Sequence, residues 1–183
     1  MTEMGYLGIF LGPMFSGKTT KIVQLYNYYT GIGESVVVIN YSLDTRYHDT
    51  MLSTHDKVMI PCVMIDKLTE AWESGKFDTA TVILINEGQF FEDLYKVVID
   101  MVENKKKNVY ICGLDGDFKR NKFGRMLDLI PFCDKCEKLN SKCNYCDNNA
   151  AFSHRITNEV EQVVIGSSNY VPLCRKCYNL LNP

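Results

Sequence analysis

Residues 12–19 are the part of this chain with the most specific chemistry. Their sequence, Gly-Pro-Met-Phe-Ser-Gly-Lys-Thr, fits the phosphate-binding pattern G-x-x-x-x-G-K-[ST] at every defined position. Glycines in this pattern let backbone N–H groups turn towards a phosphate, the lysine reaches the β- and γ-phosphates, and the threonine hydroxyl can ligate Mg²⁺. We therefore predict that this phosphate loop binds a nucleoside triphosphate and Mg²⁺ through Gly12, Pro13, Met14, Phe15, Ser16, Gly17, Lys18 and Thr19.

A carboxylate is the second group that phosphoryl transfer requires, either near the metal or as the acceptor of the substrate's proton. Glu87 comes two residues after the apolar run Val82–Ile85. Ligands of parallel sheets bind at the carboxyl ends of the strands, so we expect Glu87 to lie near the phosphate loop. Asp44, Asp49 and Asp115 are less well placed competitors. The alternative interpretation of Glu87 is a solvated residue in the turn that ends a strand.

Strands and helices that would position these groups alternate along the first part of the chain. Short apolar runs predict strands at residues 6–11, 36–40, 82–85 and 109–112. Apolar residues at helical spacing predict one helix at residues 18–29, which Gly31 and Gly33 end, and another at residues 93–103. This alternation predicts an α/β fold, a parallel sheet flanked by helices, with the phosphate loop between the first strand and the first helix.

The pattern changes after Pro131, where six of the eight cysteines occur and short β-like pieces such as residues 160–165 replace the helices. We therefore divide the chain into an α/β domain, residues 1–131, and a small metal-binding subdomain, residues 132–183. Two C-x-x-C pairs suffice for a tetrahedral Zn²⁺ site, but spacing alone leaves open which two of three pairs bind the metal. The three pairs are Cys133/Cys136, Cys143/Cys146 and Cys174/Cys177.

Composition excludes several other classes of protein. With 46% hydrophobic and 23% charged residues, the chain has the make-up of a globular protein, and its net charge of −2 argues against a broad nucleic-acid-binding face. No apolar run approaches the roughly 18 residues of a membrane span, and the first residues lack the basic flank of a secretory signal. We therefore expect a cytoplasmic protein without membrane or nucleic-acid partners, in which cysteines bind metal rather than form disulfides.

Several segments, taken together, resemble the type II thymidine kinases, the zinc-containing cytosolic kinases of animals, many bacteria and large DNA viruses. The resemblance covers nearly the whole chain in order. It rests on the phosphate loop, Asp44-Thr45-Arg46-Tyr47, Thr54-His55-Asp56, Glu87-Gly88-Gln89-Phe90-Phe91, Leu114-Asp115-Gly116, Phe118, Arg120, Phe123-Gly124 and Cys174-Arg175-Lys176-Cys177-Tyr178. It implies a P-loop NTPase-like domain, a zinc-binding lasso subdomain that closes over a nucleoside, and transfer of the γ-phosphoryl group of ATP to the 5′-hydroxyl of thymidine.

The resemblance also implies roles for individual residues. Glu87 would be the catalytic base, Asp44 and Arg46 would lie near the phosphates, and Asn86 and Gln89 would belong to the same phosphate-side stretch. Residues 161–165, which we call the lasso segment, would hold the base largely through backbone groups. The nucleoside-binding set would be Met14, Leu114, Phe118, Phe123, Ser153, Glu161, Gln162, Val163, Val164, Ile165 and Tyr170. The zinc ligands would be Cys143, Cys146, Cys174 and Cys177, with Cys133 and Cys136 as free thiols. The alternatives for Cys133 and Cys136, which have no counterpart in the family pattern, are competition for the metal and a disulfide formed on oxidation.

Some positions depart from the family pattern. Asn86 stands where the family usually has Asp, which predicts that Mg²⁺ is held by Thr19 and the phosphates, and more weakly. Asp117, Lys122, Ser153 and Ile165 replace the usual Thr, Pro, Thr and Gly near the base. These changes leave the phosphate chemistry intact, but they open the alternative of a deoxynucleoside kinase with altered base specificity.

Two other functions fit the sequence less well. A P-loop ATPase that uses a zinc ribbon on nucleic acid would require a basic face and further helicase elements. A catalytically weak nucleotide binder would fit Asn86 but not the intact Lys18, Thr19 and Glu87. The resemblance further implies a homotetramer and feedback inhibition by thymidine triphosphate (dTTP).

Overall fold

The computed structural model describes residues 4–42, 50–54, 56–164 and 166–182. Its centre is a sheet of six strands in the order β5-β2-β6-β7-β1-β8, and all five pairings in it are parallel. The α/β fold with a parallel sheet is therefore confirmed. The strands of this sheet are β1 (Tyr6–Leu11), β2 (Val36–Tyr41), β5 (Val63–Ile65), β6 (Val82–Ile85), β7 (Asn108–Gly113) and β8 (Lys135–Lys138).

Helices cover both faces of the sheet, which is why its central strands are apolar throughout. The whole of β6 is buried, as are five of the six residues of β1. One face packs against α1 through Ile22 and Val23, and the other packs against α2 and α3. The helices are α1 (Lys18–Gly31), α2 (Leu68–Glu73), α3 (Leu94–Ile99) and α4 (Arg175–Leu181). No helix among the described residues combines the length and the apolar character needed to cross a bilayer.

Predicted elements of the first part of the chain agree closely with the structure. The four predicted strands are β1, β2, β6 and β7. The first predicted helix is α1, and the second is α3 followed by one π-helical turn, Asp100–Asn104. Two short 3-10 helices, Gly88–Phe90 and Met126–Phe132, were not predicted. The first of them follows Glu87 directly.

Strand β8 lies beyond the predicted domain boundary at residue 131, yet it pairs with β1 as an edge strand of the main sheet. Its sequence, Lys-Cys-Glu-Lys, is too polar to read as a buried strand, and an edge strand tolerates this because one side faces solvent. The two-domain division stays a prediction. The pairing means that any boundary between the sheet and the cysteine-rich part lies after Lys138.

The remaining strands form three small antiparallel pairs outside the main sheet. They are β3 (Met51–Ser53) with β4 (Met59–Pro61), β9 (Ser141–Lys142) with β10 (Asn149–Ala150), and β11 (Phe152–Arg155) with β12 (Tyr170–Leu173). The prediction that residues 160–165 are β-like was wrong for residues 160–164, which contain no strand. The partner of β11 is β12 instead, with Phe152 opposite Leu173 and Arg155 opposite Tyr170.

Candidate active site

The phosphate loop connects the carboxyl end of β1 to the amino end of α1. Gly12 and Gly17 have positive φ angles of 155° and 82°, which glycine adopts without steric cost. A Cβ on Gly12 would also lie 2.7 Å from the carbonyl oxygen of Leu139. The loop therefore needs both glycines for its shape, and it places the positive end of α1 towards the space in front of it.

Lys18 is the first residue of α1, and its side chain turns back over the loop. The buried ammonium donates to the carbonyl oxygens of Gly12 at 3.1 Å and Pro13 at 2.7 Å. The hydroxyl of Ser16 is buried without a hydrogen-bond partner within the described residues. An unsatisfied buried hydroxyl is costly, and an oxygen of a bound phosphate would satisfy this one. The loop thus has the donors and the positive charge that a triphosphate requires.

Glu87 lies at the carboxyl end of β6, as predicted, and its backbone is held in a left-handed conformation with φ 53°. Its carboxylate accepts a hydrogen bond of 2.6 Å from Nε2 of Gln89. The other end of that amide, Oε1, accepts a hydrogen bond of 2.9 Å from the backbone N–H of Leu114. Non-glycine residues with this φ cluster at functional sites. Gln89 therefore orients the Glu87 carboxylate and ties it to the end of β7.

Asn86 and Asn40 form a buried amide pair at the carboxyl ends of β6 and β2. Nδ2 of Asn86 donates to Oδ1 of Asn40 at 2.9 Å, and both side chains are at most 3% exposed. Nδ2 of Asn40 contacts the sulfur of Met64 at 3.6 Å. The place next to Glu87 where the family usually has a carboxylate is thus filled by a neutral, hydrogen-bonded amide.

A cavity of about 420 Å³ joins the phosphate loop, Glu87 and the C-terminal part of the chain. We call it the nucleotide cleft. Predicted site residues that line it are Met14, Phe15, Ser16, Gly17, Lys18, Thr19, Asn86, Glu87, Gln89, Leu114, Phe118, Phe123, Ser153, Gln162, Val163, Val164 and Tyr170. Gly12, Pro13 and Glu161 do not line it. Asp44, Arg46 and Ile165 lie outside the described residues, so their roles stay predictions.

Several lining residues were not among the predicted site residues. Asn40 and Tyr41 end β2, and Tyr41 stacks on Phe90 with ring centroids 5.1 Å apart. Phe90 in turn meets the ring of Phe123 edge to face at 5.6 Å. The reasoning that placed Glu87 at the end of a parallel strand applies equally to Asn40 and would have found it. Asp117 also lines the cleft.

The C-terminal part of the chain reaches the cleft through side-chain contacts with two loops. The Ser153 hydroxyl, on β11, accepts a hydrogen bond of 3.0 Å from the backbone N–H of Met14. Oδ2 of Asp117 accepts a hydrogen bond of 2.8 Å from Nε2 of Gln162 in the lasso segment. Two of the positions that depart from the family pattern, Ser153 and Asp117, therefore join different walls of the cleft.

Four cysteines come together between β9, β10 and α4. The sulfurs of Cys143, Cys146, Cys174 and Cys177 all lie within 4.8 Å of one another. Cys146 is 3.6 Å from Cys174 and 3.7 Å from Cys177, sulfur to sulfur. Zn–S bonds of about 2.3 Å in a tetrahedron separate sulfurs by about 3.8 Å, so this set fits Zn²⁺.

Burial and hydrogen bonds shift the thiol pKa values of the four-cysteine group in both directions. Burial raises the pKa of Cys143, but hydrogen bonds from the backbone at Cys174 and Tyr145 and from the side chains of Cys146 and Cys177 together lower it to about 6. For Cys177, burial and hydrogen bonds with the other three cysteines raise the pKa to about 12. A metal binds the thiolate form, so Zn²⁺ binding would release the protons that the group still holds. Cys133 and Cys136 are not part of the group. The geometry thus selects the two pairs that spacing alone left open.

Comparison with known proteins decides what kind of chain this is. The sequence model of the thymidine kinase family matches residues 5–178. The chain belongs to the thymidine kinase family. This confirms the family predicted from the sequence and, with it, the prediction that the chain is a kinase.

Individual relatives agree with the family assignment. The chain is 38% identical to the thymidine kinase of Yaba monkey tumor virus over 182 residues, covering 99% of this chain and 98% of that protein. It is 37% identical to the thymidine kinase of Oryza sativa subsp. japonica over 179 residues, covering 95% of this chain and 66% of the rice protein. With thymidine kinase a of Arabidopsis thaliana it shares 36% identity over 95% of this chain and 75% of that protein.

Proposed function

We propose that this member of the thymidine kinase family transfers the γ-phosphoryl group of ATP to the 5′-hydroxyl of thymidine. The observation that carries the proposal is that one cleft is lined by the phosphate loop, by the Glu87 carboxylate and by the lasso segment. Phosphoryl transfer depends on holding two substrates in line, with positive charge at the phosphates. A cleft with these three walls suits that task.

At the phosphate wall, the loop would bind the triphosphate through its N–H groups, the Lys18 ammonium and the Ser16 hydroxyl. Thr19 lines the cleft at the start of α1, where its hydroxyl would hold Mg²⁺ together with phosphate oxygens. When bound, Mg²⁺ neutralises charge on the phosphates. Asn86 contributes an amide rather than a carboxylate at this wall. Lys18 would leave the carbonyls of Gly12 and Pro13 to contact the phosphates.

At the centre of the cleft, Glu87 would take the proton of the nucleoside's 5′-hydroxyl. A general base must lie within hydrogen-bond reach of the proton that it accepts. The 2.6 Å hydrogen bond from Gln89 and the left-handed backbone of Glu87 support this role, because they restrict the positions of the carboxylate. The backbone N–H of Leu114, just after β7, donates to Gln89, so the Glu87 carboxylate is connected through Gln89 to the end of the neighbouring strand.

At the nucleoside wall, Leu114, Phe118 and Phe123 would pack against the base and sugar, and the lasso segment would bind the polar edge of the base. Ser153, which contacts the N–H of Met14, offers less bulk than a threonine would. A kinase that accepts deoxyuridine or another deoxynucleoside comparably with thymidine is therefore the second candidate function.

The rest of the proposal rests on the family resemblance. The Cys143, Cys146, Cys174 and Cys177 site would bind Zn²⁺ structurally, because four thiolates leave no open position for a substrate. The protein would form a homotetramer, and dTTP would inhibit it by occupying both ends of the cleft. A cytoplasmic location agrees with the use of cysteines as metal ligands.

The direct test follows the label of [γ-³²P]ATP in the presence of Mg²⁺ and thymidine. The proposal expects labelled thymidine 5′-monophosphate, and 5′-deoxythymidine, which lacks the reacting hydroxyl, should yield no product. Lys18→Met should abolish transfer with the zinc content unchanged. Label in inorganic phosphate alone, with none in a nucleotide product, would show an ATPase rather than a nucleoside kinase.

A further inference from the structure

Arg155, on β11, is a buried cation that does not line the nucleotide cleft. Arg155 is only 5% exposed to solvent. A buried charge is unfavourable unless other groups compensate it. No carboxylate lies within ion-pair distance of Arg155 in the part of the chain that the structure describes. Glu159 interacts with it at longer range: hydrogen bonds from the Thr157 side chain and the Glu159 backbone, and then the charge of Arg155, lower the pKa of the Glu159 carboxyl. The close contacts of Arg155 are with other groups.

Those contacts are carbonyl oxygens at and before the lasso segment. Nη1 donates to the carbonyl oxygens of Glu159 at 2.9 Å and Glu161 at 2.5 Å, and Nη2 donates to that of Gln162 at 3.2 Å. Guanidinium presents several donors in a rigid plane, so one side chain can hold several carbonyls in a fixed arrangement. Residues 160–164 form no strand, and two of their carbonyl groups, those of Glu161 and Gln162, are bound by Arg155 instead.

Two aromatic side chains of the cleft also contact Arg155. The guanidinium carbon lies 3.9 Å from the ring centroid of Phe118, which is a cation–π contact. Nη2 also donates to the hydroxyl of Tyr170 at 2.5 Å, and that hydroxyl donates to the carbonyl oxygen of Val164 at 3.0 Å. Residues 114–125, which we call the Phe118 loop, connect β7 to the 3-10 helix Met126–Phe132. Arg155 thus contacts the Phe118 loop, β12 and the lasso segment, and each of these contributes residues to the lining of the cleft.

The planarity of the peptide unit determines where the N–H groups next to these carbonyls point. In a trans peptide unit the C=O and the following N–H point in opposite directions. The carbonyls of Glu161 and Gln162 point at the guanidinium, so the N–H groups of Gln162 and Val163 point away from it. Arg155 therefore sets which backbone groups of the lasso segment are available to a ligand.

We propose that Arg155 is a positioning residue for the nucleoside: it orients the peptide units of the lasso segment and the Phe118 ring that together bind the base. This inference rests on the proposed function, because it takes the nucleoside as the ligand of this wall. Arg155 contacts neither the phosphate loop nor Glu87 among its described partners. Its loss should therefore weaken thymidine binding while leaving the ATP end of the cleft intact.

The experiment compares Arg155→Ala and Arg155→Lys with the wild type and with Arg125→Ala. Arg125 is a matched control: it is also an arginine stacked on an aromatic ring, Tyr95, at 5.4 Å, but it is exposed and pairs with Asp128. Each variant is assayed for KM of thymidine, KM of ATP, kcat and zinc content, and thymidine binding is measured by calorimetry without ATP. The Arg155→Ala assay is repeated with millimolar guanidinium chloride, and with sodium chloride at equal ionic strength.

For Arg155→Ala we expect KM of thymidine to rise roughly 10- to 100-fold, as befits the loss of charge-assisted hydrogen bonds. KM of ATP, zinc content and the Arg125→Ala parameters should match the wild type. Lysine keeps the charge but not the plane, so Arg155→Lys should recover only part of the loss. Guanidinium chloride, but not sodium chloride, should lower the KM of thymidine for Arg155→Ala.

Two results would overturn the inference: an unchanged thymidine KM in zinc-loaded Arg155→Ala, or equal increases in both KM values. If Arg155→Ala does not fold, Arg155→Lys decides, and wild-type thymidine affinity in that variant would refute the role. A wild-type protein that binds thymidine but phosphorylates no nucleoside would contradict the proposed function instead. The calorimetric comparison would still test Arg155 in that case.

Discussion

Replacing Glu87 with glutamine removes the proton acceptor and leaves the surroundings of that residue almost unchanged. The amide keeps one oxygen for the hydrogen bond from Gln89, so the contact of Gln89 with the N–H of Leu114 can persist. The left-handed φ of 53° is no harder for glutamine than for glutamate. What disappears is the ability to take the 5′-hydroxyl proton.

The expected size of the effect follows from that difference. A positioned general base contributes about 10²- to 10⁴-fold to a rate, which corresponds to about 3–5 kcal/mol of transition-state stabilisation. The whole loss should appear in kcat. KM of ATP should change less than about twofold, since Lys18 and the phosphate loop are untouched and an interaction made only in the transition state does not alter ground-state binding.

The assay is steady-state kinetics of thymidine phosphorylation, with Glu92→Gln as the control. Glu92 is exposed and five residues further along the chain, so the same change of charge there should leave kcat as it is. Near-normal turnover of Glu87→Gln would refute Glu87 as the base. A loss of turnover accompanied by a large rise in KM of ATP would show that the substitution disturbs the phosphate wall instead.

Three further substitutions test separate parts of the structure. Asn86→Asp should lower the Mg²⁺ concentration for half-maximal activity by about tenfold, the lower end of what supporting groups add to metal affinity, and an unchanged Mg²⁺ titration would refute the weakened metal site. Cys146→Ser should lose its bound zinc and unfold at a lower Tm, whereas Cys136→Ser should keep the zinc content and the Tm of the wild type. Equal zinc loss in the two variants would contradict the assignment of ligands. Gly124→Ala should destabilise the fold by about 2–3 kcal/mol in denaturant unfolding, because φ is +59° and the new Cβ would lie 2.2 Å from the carbonyl oxygen of Gln89. Gly31→Ala, where the new Cβ would meet no atom within 4 Å apart from the neighbouring residues and the backbone of its own helix, is the control for that change. Equal stabilities of the two variants would contradict the packing argument.

Local patterns in the sequence were sufficient for the phosphate-binding half of the cleft. The loop, the strand before it and the helix after it are adjacent in the chain, and Glu87 follows from the rule that parallel strands end at the same edge. Strand β8 was not predicted because an edge strand does not need a run of apolar residues. Its pairing with β1 depends on contacts between residues more than a hundred positions apart.

The nucleoside wall was less predictable because its order comes from long-range polar contacts. Residues 160–165 have the composition of a strand, but Arg155 binds carbonyl groups that a strand would need for pairing. An arginine within a short strand gives no sign in the sequence that it will be buried against Phe118. The four-cysteine group is intermediate: spacing limited the choice to three pairs, and only the fold brings the second and third together.

In the proposed function, the cleft binds thymidine and presents its 5′-hydroxyl to ATP. The decisive measurement is kcat/KM with ATP and Mg²⁺ for thymidine, deoxyuridine, deoxycytidine, deoxyadenosine and deoxyguanosine. We expect the highest value for thymidine, because the lasso segment and the Phe118 loop would be shaped for a 5-methyl pyrimidine. A higher value for another nucleoside would show that the enzyme prefers that base. No phosphorylation of any of the five at any Mg²⁺ concentration would contradict the proposed function.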